Sequence, residues 1–276
     1  MRQPGQDTLK AFNVHGHPVL LPGGEGRTYR VAEVVLKYVG TDDVDDVRWM
    51  ADLFHRIQGT GFSVSRPLPT IHGAWISDDG WTAWTYVEGH HRYAKHIPES
   101  VEAIRAFHHA LSGIPKPDFL SREVDNPYRR ADAFAWNSQP DHLHPDLKRD
   151  VELLYSLRTP LADGEDQLIH GDLNPGNILL SPAHEPAIID LAPYWRPPEF
   201  ASAIYAYWIG PWREDIDVLD HFSNIPNFTQ MLVRAAIRML LIMSEFDLVH
   251  DLEQYHRATA ITRAFVHRSG TPTTRG

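Results

Sequence analysis

The chain has 276 residues, which allows one large domain or two lobes with a sizeable core. Its 26 Lys and Arg residues against 36 Asp and Glu give a formal charge of −10, which argues against a nucleic-acid partner. The absence of Cys excludes disulfides, thiolate metal sites and a cysteine nucleophile. No apolar run reaches the ~18–20 residues of a membrane span, and the polar start lacks the apolar segment of a secretory signal. We therefore expect a cytoplasmic protein without a membrane partner.

Short strands rich in β-branched and aromatic residues dominate the first 88 residues. A glycine-rich turn, Pro22 to Gly26, follows the apolar run at 19–21. A helix is predicted over 42–57, because acidic residues crowd its first turns and apolar residues recur at three- and four-residue spacing. Strands are predicted at 29–31, 34–39, 62–65, 73–77 and 81–87.

Beyond Gly89 the apolar spacing becomes mainly helical, whereas residues 115–139 show little periodicity. The sequence therefore predicts an α+β protein with a small N-terminal lobe (residues 1–88) and a larger, mostly helical C-terminal lobe (residues 89–276). Residues 269–276 are expected to fray. Helices are predicted at 98–111, 145–157, 228–243 and 248–265.

The most informative stretch is the polar loop His170–Asn177, which lies between two short apolar strands. A predicted hairpin follows and ends at Asp190, so that Asp172, Asn177 and Asp190 sit at loop edges where side chains can converge. Mg²⁺ prefers oxygen ligands of this kind and completes its coordination with substrate phosphates. A further carboxylate can accept a proton from a hydroxyl nucleophile. His-x-Asp, four residues, Asn and a later Asp is the spacing of a phosphoryl-transfer loop.

The loop sequence His-Gly-Asp-Leu-Asn-Pro-Gly-Asn resembles the catalytic loop of the aminoglycoside phosphotransferase/choline kinase family, the small-molecule branch of the protein-kinase-like fold. Gly171 stands where protein kinases usually have Arg, which favours the small-molecule branch. The segment Asp190–Pro197 also resembles an actinobacterial subgroup with a Tyr-Trp-Arg-Pro signature. The resemblance implies a bilobal fold and an ATP- and Mg²⁺-dependent enzyme that phosphorylates a hydroxyl group of a small molecule.

The resemblance also implies a role for each residue of the loop. Asp172 is similar to the catalytic base that orients and deprotonates the acceptor hydroxyl. Asn177 and Asp190 are similar to the Mg²⁺ ligands, and His170 is expected to support the loop by hydrogen bonds. Any one of these polar residues alone would also be explained as a turn cap, whereas their joint spacing favours the functional interpretation.

The N-terminal lobe carries weaker signals for nucleotide binding. Gly24 and Gly26 match the first two glycines of a phosphate-covering loop, although a plain hairpin turn explains them equally well. Lys37 resembles the strand lysine that contacts the α- and β-phosphates. By the same resemblance, the Thr85 carbonyl and the Val87 amide would contact the adenine base.

Two features of the family pattern are missing. The helix predicted at 42–57 contains no Glu to pair with Lys37; Asp46 is the best substitute, with Asp45 and Asp52 as rivals. Many relatives carry a further Asp that anchors the catalytic loop, but residues 201–208 contain no carboxylate. These departures keep an alternative open, a nucleotide-binding pseudokinase that serves as a regulatory or partner-binding module.

Other candidate sites have simpler explanations. The histidine-rich pieces, His108-His109 among them, lack metal-site spacing and are interpreted as surface or core residues. Carboxylates at 214–220 would suit a cationic acceptor, although a solvated acidic loop explains them more simply. A protein kinase is opposed by Gly171 and by the lack of Asp-Phe-Gly. The acceptor, the choice between ATP and GTP and the oligomeric state stay open.

Overall fold

A computed structural model describes residues 2–22, 26–41, 44–91, 93–122, 126–137, 140, 143–161, 164–246 and 251–270. The chain forms two compact units. The first unit comprises Met1–His90 and Leu179–Ile189, and the second comprises His91–Ile178 and Asp190–Gly276. The hairpin that follows the polar loop is therefore part of the first unit, although the loop and Asp190 belong to the second.

Eight α-helices and ten strands form within the described residues. The helices are α1 (Gln6–Ala11), α2 (Val44–Arg56), α3 (Ile97–Ala110), α4 (Pro127–Trp136), α5 (Lys148–Ser156), α6 (Pro198–Ile209), α7 (Phe228–Glu245) and α8 (Leu252–Gly270). The strands are β1 (Val19–Leu20), β2 (Thr28–Val31), β3 (Val34–Tyr38), β4 (Ser63–Val64), β5 (Pro67–Leu68), β6 (Trp81–Thr85), β7 (Gln167–His170), β8 (Ile178–Ser181), β9 (His184–Ile188) and β10 (Pro193–Arg196).

The first unit is built on an antiparallel five-stranded sheet in the order β1-β2-β3-β6-β5. One face of this sheet packs against α1 through a core that includes Leu9, Phe12, Leu36 and the fully buried Trp81. A smaller sheet has the order β4-β9-β8, with β4 parallel to β9. Alternation along β3 buries Leu36 and places Lys37 on the opposite face.

The second unit is a helical assembly that holds one short antiparallel pair, β7 and β10. Its centre is α7, which packs against α4, α5, α6 and α8. The apolar stripe predicted for α7 is buried, because this helix is surrounded by its neighbours. The register of the strand pair sets Tyr194 opposite Ile169, immediately before the polar loop.

The structure adds elements that the sequence patterns did not predict, namely α1, α4, β5 and β10. Helix α4 lies in the stretch that shows little periodicity, but it begins with a recognisable signal. The Asn126 side chain accepts hydrogen bonds from the amides of Tyr128 and Arg129, and Pro127 occupies the first helical turn. The strand predicted at 73–77 is wrong in extent, since only a single bridge between Ile76 and Thr82 forms there.

The α+β class and the two regions of different character, a β-rich N-terminal part and a helical C-terminal part, are confirmed. Over the described residues, every helix is too short or too polar to cross a lipid bilayer. Residues 271–276, most of the predicted frayed tail, lie outside the described residues.

Candidate functional site

The polar loop is held by hydrogen bonds within the loop itself. His170 is fully buried, and its Nδ1 accepts a hydrogen bond of 3.1 Å from the amide of Asp172. The Asn174 side chain accepts a bond of 2.7 Å from the amide of Gly176 and so caps the turn. These bonds agree with the supporting role expected for His170, and they set the backbone of Asp172.

The loop brings Asn177 and Asp172 together. Nδ2 of Asn177 donates a hydrogen bond of 2.6 Å to the main-chain oxygen of Asp172 and lies 3.3 Å from its Oδ2. Because Nδ2 is the donor in both contacts, Oδ1 of Asn177 is the atom that can coordinate a cation. The Asp172 carboxylate and the Asn177 carboxamide group are therefore neighbours in the loop.

Asp190 directly follows the hairpin and adopts a left-handed backbone conformation, with φ of 56°. Asp tolerates this region better than most residues, and such conformations are common at functional sites. Two residues later, the Ala192 carbonyl accepts a hydrogen bond of 2.8 Å from the amide of Gly171. The segment that carries Asp190 is thus tied directly to the polar loop.

A buried histidine on α3 also holds the loop, and the sequence analysis did not assign it this role. Nε2 of His108 accepts a hydrogen bond of 3.1 Å from the amide of His170, while Nδ1 lies 2.7 Å from the Ile104 carbonyl. A carbonyl can only accept, so Nδ1 carries the proton and the ring is neutral. Burial lowers the pKa of His108 to about 4. A His on an otherwise apolar helix face was the only available signal.

Tyr194 supports the loop from the other side. A Cβ atom at Gly171 would lie 2.0 Å from Cδ2 of Tyr194, so that only glycine lets the aromatic ring pack against the loop. The ring also contacts Arg238 on α7, whose guanidinium carbon lies 4.9 Å from the ring centroid. Glycine at position 171 is therefore required for this packing.

Behind Tyr194, a buried carboxylate on α4 links two arginines. Oδ2 of Asp132 accepts bonds of 2.9 and 2.6 Å from Nε and Nη2 of Arg196, and its Oδ1 lies 3.7 Å from Nε of Arg238. Arg196 also lies over the ring of Trp136, 5.1 Å from its centroid. Helix α6 carries no carboxylate at 201–208. Among the described residues, His108 holds the strand that leads into the loop, and the Asp132 network holds Arg196 in the strand beside it.

The candidate nucleotide-binding residues lie in the first unit, and Gly24 lies outside the described residues. Gly26 adopts a φ of 71°, a conformation that favours glycine. Lys37 lies in β3 opposite Thr28 and Thr82. Oδ1 of Asp46 accepts a hydrogen bond from the adjacent amide of Val47.

The two rivals of Asp46 make other contacts. Asp45 pairs with Arg48 at 3.3 Å, and Asp52 accepts a bond of 2.8 Å from the indole of Trp75.

At the end of β6, the Thr85 carbonyl accepts a bond of 2.6 Å from the Ser65 hydroxyl and can accept one more. The roles of Lys37, Asp46, Thr85 and Val87 stay predictions.

Most of the N-terminal two thirds of the chain matches a known protein family. Residues 19–194 match the model of a family described as the phosphotransferase enzyme family. This range covers more than half of the chain and includes the polar loop and Asp190. No curated protein sequence matches the chain.

Solved structures share the fold at low sequence identity. One is a spectinomycin phosphotransferase in complex with ADP and spectinomycin (TM-score 0.56, 14% identity, 95% of this chain and 99% of that chain). Another is the choline kinase LicA from Streptococcus pneumoniae (TM-score 0.56, 14% identity, 94% and 97%). A third is an amicoumacin kinase in complex with AMP-PNP, Ca²⁺ and Ami (TM-score 0.59, 13% identity, 93% and 90%). At this identity they show the fold, which is the protein-kinase-like fold.

The neutral state of His108 makes folding dependent on pH. Its pKa is lowered to about 4 in the folded chain from 6.5, so only the unfolded chain takes up this proton between those values. The contribution of neutral His108 to the free energy of unfolding is full above about pH 6.5. It falls as the pH drops, by about 2 kcal/mol between pH 7 and pH 5. Urea unfolding at both pH values should show a smaller loss for His108→Gln, which retains an acceptor but does not titrate. Equal losses in the two proteins would contradict this account.

The contact between Gly171 and Tyr194 predicts a specific rescue. Gly171→Ala should lower the free energy of unfolding by about 1–3 kcal/mol, because the new Cβ overlaps the aromatic ring. Adding Tyr194→Ala should remove the overlap, so that the double variant loses less stability than the sum of the losses of the two single variants. Gly164→Ala is the matched control, since its Cβ would meet nothing within 4 Å. Strict additivity of the two substitutions would refute the contact.

Proposed function

Because the chain belongs to the phosphotransferase enzyme family, we propose that it transfers the γ-phosphoryl group of ATP to a hydroxyl group of a small molecule. The observation that carries the proposal is the pairing of Asp172 with Asn177 in a loop braced on both sides. In kinases of this type, catalysis depends on positioning and charge neutralisation, both of which need a rigid loop.

Asp172 is the proposed catalytic base. Its backbone is set by His170 and Asn177, so its carboxylate is presented at a constant position. The acceptor oxygen forms a bond to the γ-phosphorus while its proton passes to a carboxylate oxygen of Asp172. The bond between the γ-phosphorus and the β–γ bridging oxygen breaks, and ADP leaves.

Asn177 and Asp190 are the proposed Mg²⁺ ligands. Their carboxamide and carboxylate oxygens are the donors that this hard cation prefers, so the residues present fit the ion. The described residues contain no group of three or more His, Cys, Asp or Glu side chains placed to hold a metal. Two protein ligands suit Mg²⁺ here, because substrate phosphates and water normally supply the rest. The bound ion would neutralise charge on the phosphates during transfer.

The nucleotide is proposed to bind to the N-terminal lobe, residues 1–88, and the acceptor to the C-terminal lobe, residues 89–276. Gly24 and Gly26 would place amides over the phosphates, and Lys37, supported by Asp46, would contact the α- and β-phosphates. The carbonyl of Thr85 and the amide of Val87 would contact the base. Within the described chain, the Val87 amide makes no hydrogen bond and is available as a donor. A cytoplasmic location, where ATP is plentiful, is part of this proposal.

The carboxylates at 214–220 do not support a cationic acceptor. Glu214 pairs with Arg257 at 2.7 Å, and Asp220 pairs with Arg268 at 2.5 Å. Oδ1 of Asp215 accepts bonds of 3.2 Å from the amides of residues 217 and 218, which caps the turn. The contacts of this segment are those of a structural turn fastened to α8.

Replacement of the two carboxylates should separate nucleotide binding from turnover. In the wild type, ATP at 100 times its dissociation constant stabilises the fold by about 2.7 kcal/mol, which raises Tm by roughly 5–10 °C. Asp190→Asn should abolish the part of this shift that requires Mg²⁺. Asp172→Asn should keep the shift but lower Mg²⁺-dependent release of ADP, with water or an identified acceptor, by about 10²–10⁴-fold.

The control is Asp7→Asn, because the Asp7 side chain on α1 is 96% exposed and far from the loop in sequence. It should behave as the wild type in both measurements. Full activity in Asp172→Asn or Asp190→Asn would overturn the proposed roles. A wild type that binds ATP equally with Mg²⁺ and with EDTA, and that releases no ADP, would instead be a nucleotide-binding pseudokinase.

A further inference from the structure

A cavity of about 710 Å³ lies in the helical unit, beside the polar loop. This volume is in the range of small-molecule binding sites. The charged side chains of its described lining are five cations and one carboxylate, namely Lys116, Arg122, Arg129, Arg130, Arg196 and Asp132. We propose that the cavity binds a negatively charged group, phosphate or carboxylate, of the acceptor molecule. The proposal rests on the proposed phosphotransferase function and specifies the chemical class of its acceptor.

The cavity shares a wall with the loop that carries Asp172. Tyr194 lines the cavity and packs its ring against Gly171, the residue before Asp172. The backbone of this wall is hydrogen-bonded to the loop, from the Gly171 amide to the Ala192 carbonyl. Tyr194 therefore contacts both the cavity and the loop, which is the arrangement that an acceptor bound in the cavity would need in order to present a hydroxyl group to the loop.

Two of the five cations already have carboxylate partners. Arg196 donates two hydrogen bonds to Asp132, and Arg130 donates to Glu245 at 2.5 and 3.1 Å. Asp132 is 4% exposed, and its charge is shared with Arg238. The one carboxylate of the described lining is therefore paired with two guanidinium groups, and its negative charge is not available to attract a cationic ligand.

The other three cations give the cavity its excess of positive charge. Lys116 and Arg122 are exposed and form no ion pair within the described part of the chain, and Nη1 of Arg129 reaches only the Phe119 carbonyl at 3.4 Å. The nearby carboxylate Asp166 interacts with Lys116 and Arg196, but burial raises its pKa and so disfavours its charge.

Guanidinium and ammonium groups in this arrangement bind phosphate and carboxylate through charge-assisted hydrogen bonds. A cationic acceptor would meet like charges in the same place. Tyr194 and Trp195, which also line the cavity, offer aromatic surface to the uncharged part of the ligand. The combination fits a hydroxylated anion of the size of a sugar phosphate.

The test compares four hydroxylated compounds of similar size that differ in charge. Glucose 6-phosphate and gluconate are the anionic probes, glucose is neutral and glucosamine is cationic. Calorimetric titration into the full chain, saturated with AMP-PNP and Mg²⁺, should show at least tenfold tighter binding of an anionic probe than of glucose or glucosamine. Tighter or equal binding of glucosamine, or no binding of either anion, would overturn the proposal.

Substitution of two lining cations locates the anion site. Lys116→Gln combined with Arg122→Gln should weaken binding of the anionic probe at least tenfold, because it removes two of the cations that line the cavity. Both side chains are exposed, so we expect the double variant to fold. The matched control is Lys148→Gln combined with Arg105→Gln, two exposed cations on α5 and α3 that lie outside the cavity lining. The control should change the affinity by less than twofold. Equal losses in both double variants would mean general electrostatic attraction and would overturn the site.

Nucleotide binding is measured first on the same protein, which separates this proposal from the phosphotransferase function. Failure to bind AMP-PNP with Mg²⁺ would count against the proposed function. The anion titrations of wild type and both double variants, repeated without nucleotide, would still decide whether the cavity binds anions. Normal nucleotide binding with no preference for anionic probes would refute the anion site and leave the proposed function standing.

Discussion

The hydrogen bond from the His170 amide to Nε2 of His108 joins α3 to the strand that leads into the polar loop. Both rings are buried, and a buried imidazole is stable only when it is neutral and hydrogen-bonded. The bond to the Ile104 carbonyl fixes which nitrogen carries the proton, so that the other nitrogen can only accept. The position of the loop thus depends on one tautomer of one histidine in the core.

The opposite side of the loop is braced by charge and aromatic packing. A buried carboxylate that is paired with two arginines is costly to desolvate, and its removal would leave both guanidinium groups without an ion-pair partner among the described residues. The ion pairs with this carboxylate hold Arg196 over the ring of Trp136 and Arg238 over the ring of Tyr194. The polar network therefore gives rigidity to the strand against which Gly171 packs.

The polar loop could be predicted from sequence because its geometry is local. His170, Asp172, Asn174 and Asn177 contact one another across five residues or fewer, so their spacing carries most of the structural information. The N-terminal strands β2, β3 and β6 were predictable for a similar reason, since alternation and β-branched residues mark them individually. Helix α4 was missed because its apolar positions are sparse, although its Asn-Pro start was a usable signal.

The sequence by itself determined the α+β class, the polar loop with its candidate base and metal ligands, and the membership in a phosphotransferase family, because each depends on residues close together in the chain. Only the tertiary structure decided what holds the loop. His108 on α3 lies 62 residues before His170 in the chain. Asp132 on α4 and Arg238 on α7 lie 40 and 66 residues from Asp172. The tertiary structure also places the cations at 116–130 and Arg196 around one cavity. A single sequence carries no record of such distant contacts, because they form only when helices that are far apart in the chain pack together.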